Sequence, residues 1–279
     1  MTDRDGASPP AGAEQGVILA IETSSRIGSV ALALGATLLE EQQFSGPMQH
    51  SAEIFPTIDV LLRRHGYAPA DIGQVHIAIG PGSFTGLRIA VTMAKAMHLA
   101  HGVRIVTVDS LDVVAANLSD APMGPAESRG REMAVPDRIV ALFDAKRSQF
   151  YASVYKRVAR DAGEWPKAGN DEEPGYRIPA PDNTLWQKVV PDGLMTPQEI
   201  MQALAGPDRI GLLGDGLFYH RDDFDSDRVI ILPEQYWSPH ASNVYRLGYQ
   251  KAQAGRFADP LPLTPFYLRG PEVTLRKKP

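Results

Sequence analysis

Residues 77–109, IAIGPGSFTGLRIAVTMAKAMHLAHGVRIVTVD, decide the fold of this chain. The apolar run Val75–Ile79 reads as a strand and meets the glycine-rich turn Gly80-Pro81-Gly82-Ser83-Phe84-Thr85-Gly86. A long, almost wholly apolar helix, Leu87–His101, follows; Gly102 stops it, and Arg104–Val108 reads as a second strand. Strand, turn, helix and strand in that order make a unit of a sheet with crossover helices. Gly80, Gly82 and Gly86 allow positive φ and close backbone approach. Ser83 or Thr85 offers a hydroxyl to cap the helix. The free amides at the helix start are a common place for an anion.

Upstream, residues 17–23, residues 28–34 and Leu38–Phe44 read as three strands. His50–His65 reads as a helix, with Ile54, Phe55, Ile58, Leu61 and Leu62 at helical spacing. Pro56 inside it predicts a kink or a start near Glu53, and Gly66 ends it. Downstream, residues 119–137 read as a linker, and Arg138–Asp144 and Gln149–Lys156 as two strands around a turn at Ala145-Lys146-Arg147. Residues 157–183, polar and rich in Gly and Pro, read as an insertion and not as a core element. Thr196 and Glu199 form a capping box for the helix Pro197–Ala205. Ile210–Leu213 and Val229–Leu232 are strands, and His240–Ala254 is an amphipathic helix ended by Gly255. Strands then helices, twice over and with no visible sequence repeat, give an α/β protein of two lobes. The divisions expected are a tail at 1–16, a first lobe at 17–117, a second at 118–268 and a basic tail at 269–279.

The string GPGSFTGLRIAVTMAKAMHLAHG resembles the signature of the bacterial TsaB (YeaZ) family. Three other places agree: Ile18-Leu19-Ala20-Ile21-Glu22-Thr23-Ser24-Ser25 with Gly28-Ser29-Val30-Ala31-Leu32, then Phe143-Asp144-Ala145-Lys146-Arg147 with Phe150-Tyr151, and Pro265-Phe266-Tyr267-Leu268-Arg269. The resemblance covers residues 17–117 well and the remainder in islands. It implies the actin-like, Hsp70-like fold, with two βββαβαβα-type lobes, each a mixed sheet with crossover helices. It also implies a non-catalytic subunit of the machinery that makes threonylcarbamoyladenosine at position 37 of tRNA. Such a subunit binds and activates a catalytic paralogue, TsaD; the ATPase TsaE is a second partner, and tRNA is reached through the complex.

Composition agrees with a globular protein. Hydrophobic content is 43%, cysteine is absent and the net charge is −5. No disulfide or cysteine-ligated metal is possible, no run is long enough for a membrane span, and the N-terminus lacks the apolar core of a secretory signal. A cytoplasmic protein with a disordered tail is expected. The one dense basic cluster is Arg276-Lys277-Lys278, read as a frayed tail or an RNA or partner contact.

A P-loop needs Gly-Lys-Ser/Thr, and Gly86 is followed by Leu87-Arg88. A looser anion or nucleotide contact remains at Thr23, Ser24, Gly82, Ser83, Thr85 and Arg88, against a structural turn with Arg88 paired to a carboxylate. In an actin-like ATPase the second phosphate loop is glycine-rich, whereas this chain has Asp144-Ala145-Lys146-Arg147; a small-molecule kinase of that fold is the alternative reading. A metal pair like that of the paralogue would fall at Ser110 and Val114, and valine has no donor atom; His98 and His101 lack a third ligand, so no metal site and no peptidase activity are expected. No G-x-S-x-G elbow occurs. This chain is therefore expected to bind no cofactor alone, with ATP and metal in its partners. What remains is apolar surface. The helix 87–101 is apolar nearly all round and needs cover on two sides. Either helix 50–65 covers it, or a partner does. The resemblance implies a partner interface at Ile54, Phe55, Ile58, Leu61, Leu62, Ile89, Met93 and Met97, used for TsaD or for a homodimer.

Overall fold

The computed structural model describes residues 16–119, 121, 135–160 and 177–269. The tail at 1–15, most of the linker 119–137, the middle of the insertion 157–183 and the basic residues Arg276, Lys277 and Lys278 lie outside them. The first half runs β1 (Val17–Glu22), β2 (Ser29–Leu34), β3 (Thr37–Gln43), α1 (His50–Arg64), β4 (Ile72–Gly80), α2 (Phe84–His101), β5 (Arg104–Asp109) and α3 (Ser110–Ala115). The second half runs β6 (Arg138–Asp144), β7 (Phe150–Ala159), β8 (Ile178–Ala180), β9 (Thr184–Met195), α4 (Pro197–Ala203), β10 (Ile210–Leu213), α5 (Leu217–His220), β11 (Val229–Ile231) and α6 (Ala241–Gln253).

The two sheets share one topology. The first has the order β3-β2-β1-β4-β5, the second β11-β10-β6-β7-β9-β8. In each, a central strand (β1 or β6) pairs antiparallel with the next strand in sequence and parallel with a later one (β4 or β10). Setting β6, β7, β9, β10 and β11 against β1 to β5 makes the second sheet a copy of the first, with β8 added at its edge. The repeat that the sequence hides is a repeat of connections.

β1 shows why its sequence is a continuous apolar run. Val17, Leu19 and Ile21 enter one core with α1 and α2, while Ile18 and Ala20 enter another with α3 and α6. Alternate residues of a strand point to opposite faces, and a strand covered on both faces needs apolar residues at every position. Helix α6, within the span read as the second lobe, packs on β1, β2, β4 and β5 of the first sheet, and α3 packs on β6 of the second. The two sheets thus meet through a shared helical layer. A buried ionic cluster spans the same junction. Lys188 of β9 places its ammonium 2.8 Å from Asp112 of α3 and 2.7 Å from Asp192, and the Tyr155 hydroxyl donates to Asp112 at 2.6 Å. Burial works against the Lys188 charge, but Asp112 and the neighbouring carboxylates outweigh it and keep the ammonium protonated.

Several sequence expectations need correction. Helix α1 does not wait for Glu53: the amides of Ala52 and Glu53 both donate to the Gln49 carbonyl (3.0 and 2.9 Å), so the helix is under way before Pro56. Residues 157–183 are not wholly outside the core, because β7 extends to Ala159 and Ile178 of β8 is buried. The twelve-residue strand β9, with the buried Trp186, and the short helix α3 went unread. β9 mixes Lys, Gln, Asp, Pro and Gly and so lacks the period-two signature of a strand. Among the described residues no helix is long and apolar enough to cross a membrane.

The glycine turn is fixed by crowding. Ser83 caps α2, its hydroxyl accepting from the Gly86 amide at 3.3 Å. The Ser83 amide donates to the Ser24 carbonyl at 2.7 Å. A Cβ on Gly86 would overlap the Thr23 carbonyl oxygen, and one on Gly82, which also has φ +157°, would overlap that of Ser24. Gly86 itself is needed for close approach and not for positive φ. Gly86→Ala should therefore lower the unfolding free energy by about 1–3 kcal/mol, the usual cost of overpacking. Urea denaturation checks it, and a loss within about 0.5 kcal/mol, the range of a neutral surface change, would mean that β1 yields freely.

Candidate functional site

Two concavities flank that turn. The first is a cleft of about 740 Å³ between the lobes. Ser24, Ser25 and Arg26 after β1, with Gly82 and Ser83 of the turn, line one wall; residues 144–147 of the β6–β7 turn, with Asp215 after β10, line the other. The C-terminal segment bridges the walls. Phe266 donates its amide to the Ile79 carbonyl at 2.8 Å, Tyr267 packs on Phe84 with ring centroids 4.9 Å apart, and Arg269 donates to the Ala145 carbonyl at 2.5 Å and to the Gln149 side chain.

The β6–β7 turn passes through three successive left-handed residues, Lys146 (φ 65°), Arg147 (59°) and Ser148 (53°). That conformation costs a residue with a Cβ roughly 1–2 kcal/mol. Asp144 holds the turn, accepting from the Lys146 amide at 2.7 Å and pairing with its ammonium at 2.6 Å. At the cleft mouth, Met48 (66% exposed) and Tyr219 (63%) present apolar surface, and the Arg26 guanidinium lies 5.3 Å from the Tyr219 ring centre.

Two buried carboxyls feel one another's charge here, and one of them, Asp215, lines the cleft. Glu22 is fully buried; one oxygen accepts from the Ser24 amide and hydroxyl, and the other has no hydrogen-bond partner among the described residues. Burial pushes its pKa up to about 7, with the Ser24 bonds opposing. Asp215 accepts from the Ser25 hydroxyl at 2.9 Å, a bond that crosses between the lobes, and burial pushes it up to about 6.

The second concavity is an apolar groove of about 920 Å³ between α1 and α2. Phe55, Ile58 and Leu62 line it from α1, and Ile89, Met93 and Met97 from α2. Phe55 is 62% exposed, whereas Leu62 and Met93 are nearly closed off at its base. Ile54 and Leu61, grouped with these from the sequence, are fully buried in the core and do not line the groove. The helices do not cover one another, so an open apolar channel runs between them.

The six anion candidates divide. Ser24, Gly82 and Ser83 line the cleft. Thr23 is fully buried and donates its hydroxyl to the Gly86 carbonyl at 2.8 Å. Thr85 and Arg88 line the groove instead. Among the described residues Arg88 pairs with no carboxylate: its Nε donates to the Tyr267 hydroxyl at 3.0 Å and its guanidinium lies 3.7 Å from the Phe84 ring centre. Sequence reading missed Arg26, Tyr219 and Arg269 as cleft residues. They lie in the loop after β1, in α5 and in the C-terminal segment, where no sequence motif marks them. Ser110, at the paralogue's metal position, has its hydroxyl accepting from the Gly80 amide at 3.1 Å, and Val114 is core. Among the described residues no group of three His, Cys, Asp or Glu side chains is placed to hold a metal ion.

Glu22 makes stability depend on pH. Its ordinary pKa of 4.5 applies in the unfolded chain and about 7 in the folded one, so the folded state binds more protons between those values. Its contribution is full below pH 4.5 and is lost as pH rises through 7. Glu22→Gln should abolish a loss on the order of 3 kcal/mol at about 1.4 kcal/mol per unit. Urea unfolding of both proteins at pH 5 and pH 8 measures it; equal losses in the two would show that Glu22 ionises without penalty.

Residues 46–168 match the family model described as TsaD: tRNA N6-adenosine threonylcarbamoyltransferase. A Bacillus subtilis protein described as tRNA threonylcarbamoyladenosine biosynthesis protein TsaB is 29% identical, over 90% of this chain and 93% of its own length. One of the same description from Haemophilus influenzae is 23% identical, over 94% and 97%. Among solved structures, YeaZ from Pseudomonas aeruginosa matches 91% of this chain and 100% of its own, with a TM-score of 0.65 at 19% identity. A structure described as an uncharacterized protein with similarity to peptidase YEAZ, also from Pseudomonas aeruginosa, gives a TM-score of 0.66 at 20% identity and the same coverage. Relatives of one description thus run along nearly its whole length, and this chain is similar to the TsaB (YeaZ) proteins, with whose solved structures it shares the actin-like two-lobed fold.

Proposed function

We propose that this protein is a non-catalytic subunit of the machinery that makes threonylcarbamoyladenosine in tRNA, and that it binds and activates a TsaD-type paralogue. The open apolar groove between α1 and α2 carries the reading. An apolar channel of this size on a folded protein is the mark of a surface awaiting a partner. Two helices of the paralogue laid against α1 and α2 would close it as a four-helix bundle, burying roughly 1,200–2,000 Å² in total. The small residues Ala96 and Ala100, both exposed on α2 and lining the groove, permit close helix approach. A second copy of this chain would use the same surface when the paralogue is absent. The threonylcarbamoyl transfer itself belongs to the paralogue, with a TsaE-type ATPase as a further partner and tRNA engaged through the complex.

Phe55→Asp and Ala96→Asp test the groove, since both side chains are exposed and neither substitution disturbs the core. A charge buried without a partner costs about 3–5 kcal/mol, so each variant should keep its circular dichroism and melting temperature yet bind TsaD at least 100-fold more weakly. Light scattering should show self-association lost with it. Wild-type affinity in both folded variants would place the interface elsewhere. The isolated wild-type chain should also release no phosphate from ATP above a mock preparation, because the β6–β7 turn reads Asp144-Ala145-Lys146-Arg147 in place of a glycine-rich phosphate loop. Turnover that Glu22→Ala abolishes would contradict this.

A further inference from the structure

The groove and the cleft share a wall. Among the described residues Phe84, the first residue of α2, alone lines both. On the groove side the Arg88 guanidinium lies over its ring. On the cleft side Tyr267 packs on the same ring, and its hydroxyl accepts from the Arg88 Nε. Tyr267 belongs to a segment tied to the first lobe along its length. The Ala258 amide donates to the Ile105 carbonyl at 2.8 Å, Leu263 is buried in the first core, and the Phe266 amide donates to Ile79. Past Phe266, Arg269 reaches the opposite wall and donates to the Ala145 carbonyl and the Gln149 side chain.

What Arg269 holds there is strained. Lys146, Arg147 and Ser148 are all left-handed, and such backbone persists only where surrounding structure enforces it. Inside the turn the Lys146 amide donates to Asp144, the Ala145 amide to the Gln149 carbonyl at 2.9 Å and the Gln149 amide to the Lys146 carbonyl at 3.2 Å. From outside, Arg269 clamps Ala145 and Gln149, the two residues that flank the left-handed three. At the other end of this chain of contacts Arg88 is exposed in the groove, bonded to a neutral hydroxyl and a ring. A carboxylate offers a guanidinium hydrogen bonds about twice as strong as neutral ones, and a cation covered without such a partner is costly. The surface that suits this groove therefore presents a carboxylate to Arg88.

We propose that Phe84, Arg88, Tyr267 and Arg269 form a relay from groove to cleft, in which a carboxylate on a docked partner draws Arg88 from Tyr267 and frees the turn at 146–148 from the Arg269 clamp. Release by docking rests on the function proposed above; the relay within this chain does not.

Hydrogen exchange of the full chain tests this at the amides of Ala145, Lys146 and Gln149, whose bonds hold the turn and whose exchange reports its local opening. Arg269→Ala should speed them about tenfold or more, the scale of bonds lost from a charged donor. Arg88→Ala and Tyr267→Phe should each speed them about threefold or more, the scale of one hydrogen bond. The double variant should exchange like either single one, because both break the same link, whereas two independent structural losses would add. Exchange in β10 should stay at the wild-type rate in all of them. Phe55→Asp, in the groove but outside the relay, should leave the turn unchanged. With TsaD bound, the same amides should quicken about threefold or more in the wild type and not in Arg88→Ala. A wild-type rate at the turn in Arg88→Ala or Tyr267→Phe would overturn the relay, and an unchanged or slower turn in the TsaD complex would overturn its release by docking. Failure to form that complex at all would instead count against the function proposed above, and the variants of the isolated chain would still decide the relay.

Discussion

The close approach of α2 to the end of β1 is the constraint on which the rest depends. The Gly86 position lies against the Thr23 carbonyl and the Gly82 position against that of Ser24, closer than any side chain allows. Two hydrogen bonds lock the contact, one from the Ser83 amide to Ser24 and one from the Thr23 hydroxyl to Gly86. This contact sets where α2 begins and how it lies on the sheet. Everything on either side follows. On one side the turn and the end of β1 become a wall of the cleft; on the other, α2 runs beside α1 and opens the groove.

α2 has three surfaces, which explains a helix apolar nearly all round. Ala90, Val91 and Ala94 face the sheet in the first core, and Leu87 is also buried. Ile89, Met93, Ala96 and Met97 face the groove. Lys95 points the third way and donates to the carbonyls of Leu261 and Leu263 at 3.0 and 3.2 Å, tying the C-terminal segment down. That segment then passes Phe84 and Arg88 and reaches the β6–β7 turn through Arg269. A short stretch of irregular chain thus links α2 to the far wall of the cleft.

The lobes are joined by groups that are costly to bury. Lys188 lies among Asp112, Asp192 and Asp109, and the Ser25–Asp215 bond crosses beside the buried Glu22. Breaking a buried pair by removing one partner strands the other charge, so such contacts fix one arrangement of the lobes more firmly than they add stability. The shared layer of α3 and α6 supplies the apolar part of the junction.

The sequence by itself determined most of the strands and helices, because period-two and helical patterns, capping residues and glycine stops are local properties. Ser83, Thr196 with Glu199, and Gly102 each mark a helix end where the structure has one. It also identified α1 and α2 as the apolar pair. Strand β9 escaped, since its partners are chosen by β7 and β8 and its own residues carry no alternation. Only the tertiary structure decided which of the apolar residues are core and which are surface. Ile54 and Phe55 are neighbours in sequence with equal claims, yet one is sealed against the sheet and the other lines the groove, because a helix turns about 100° per residue. It likewise separated Ser24 and Ser83, in the cleft, from Thr85 and Arg88, in the groove. The cleft itself could not be read from the chain. Its residues come from six segments between Ser24 and Arg269 and are brought together only by the folding of two sheets onto one helical layer.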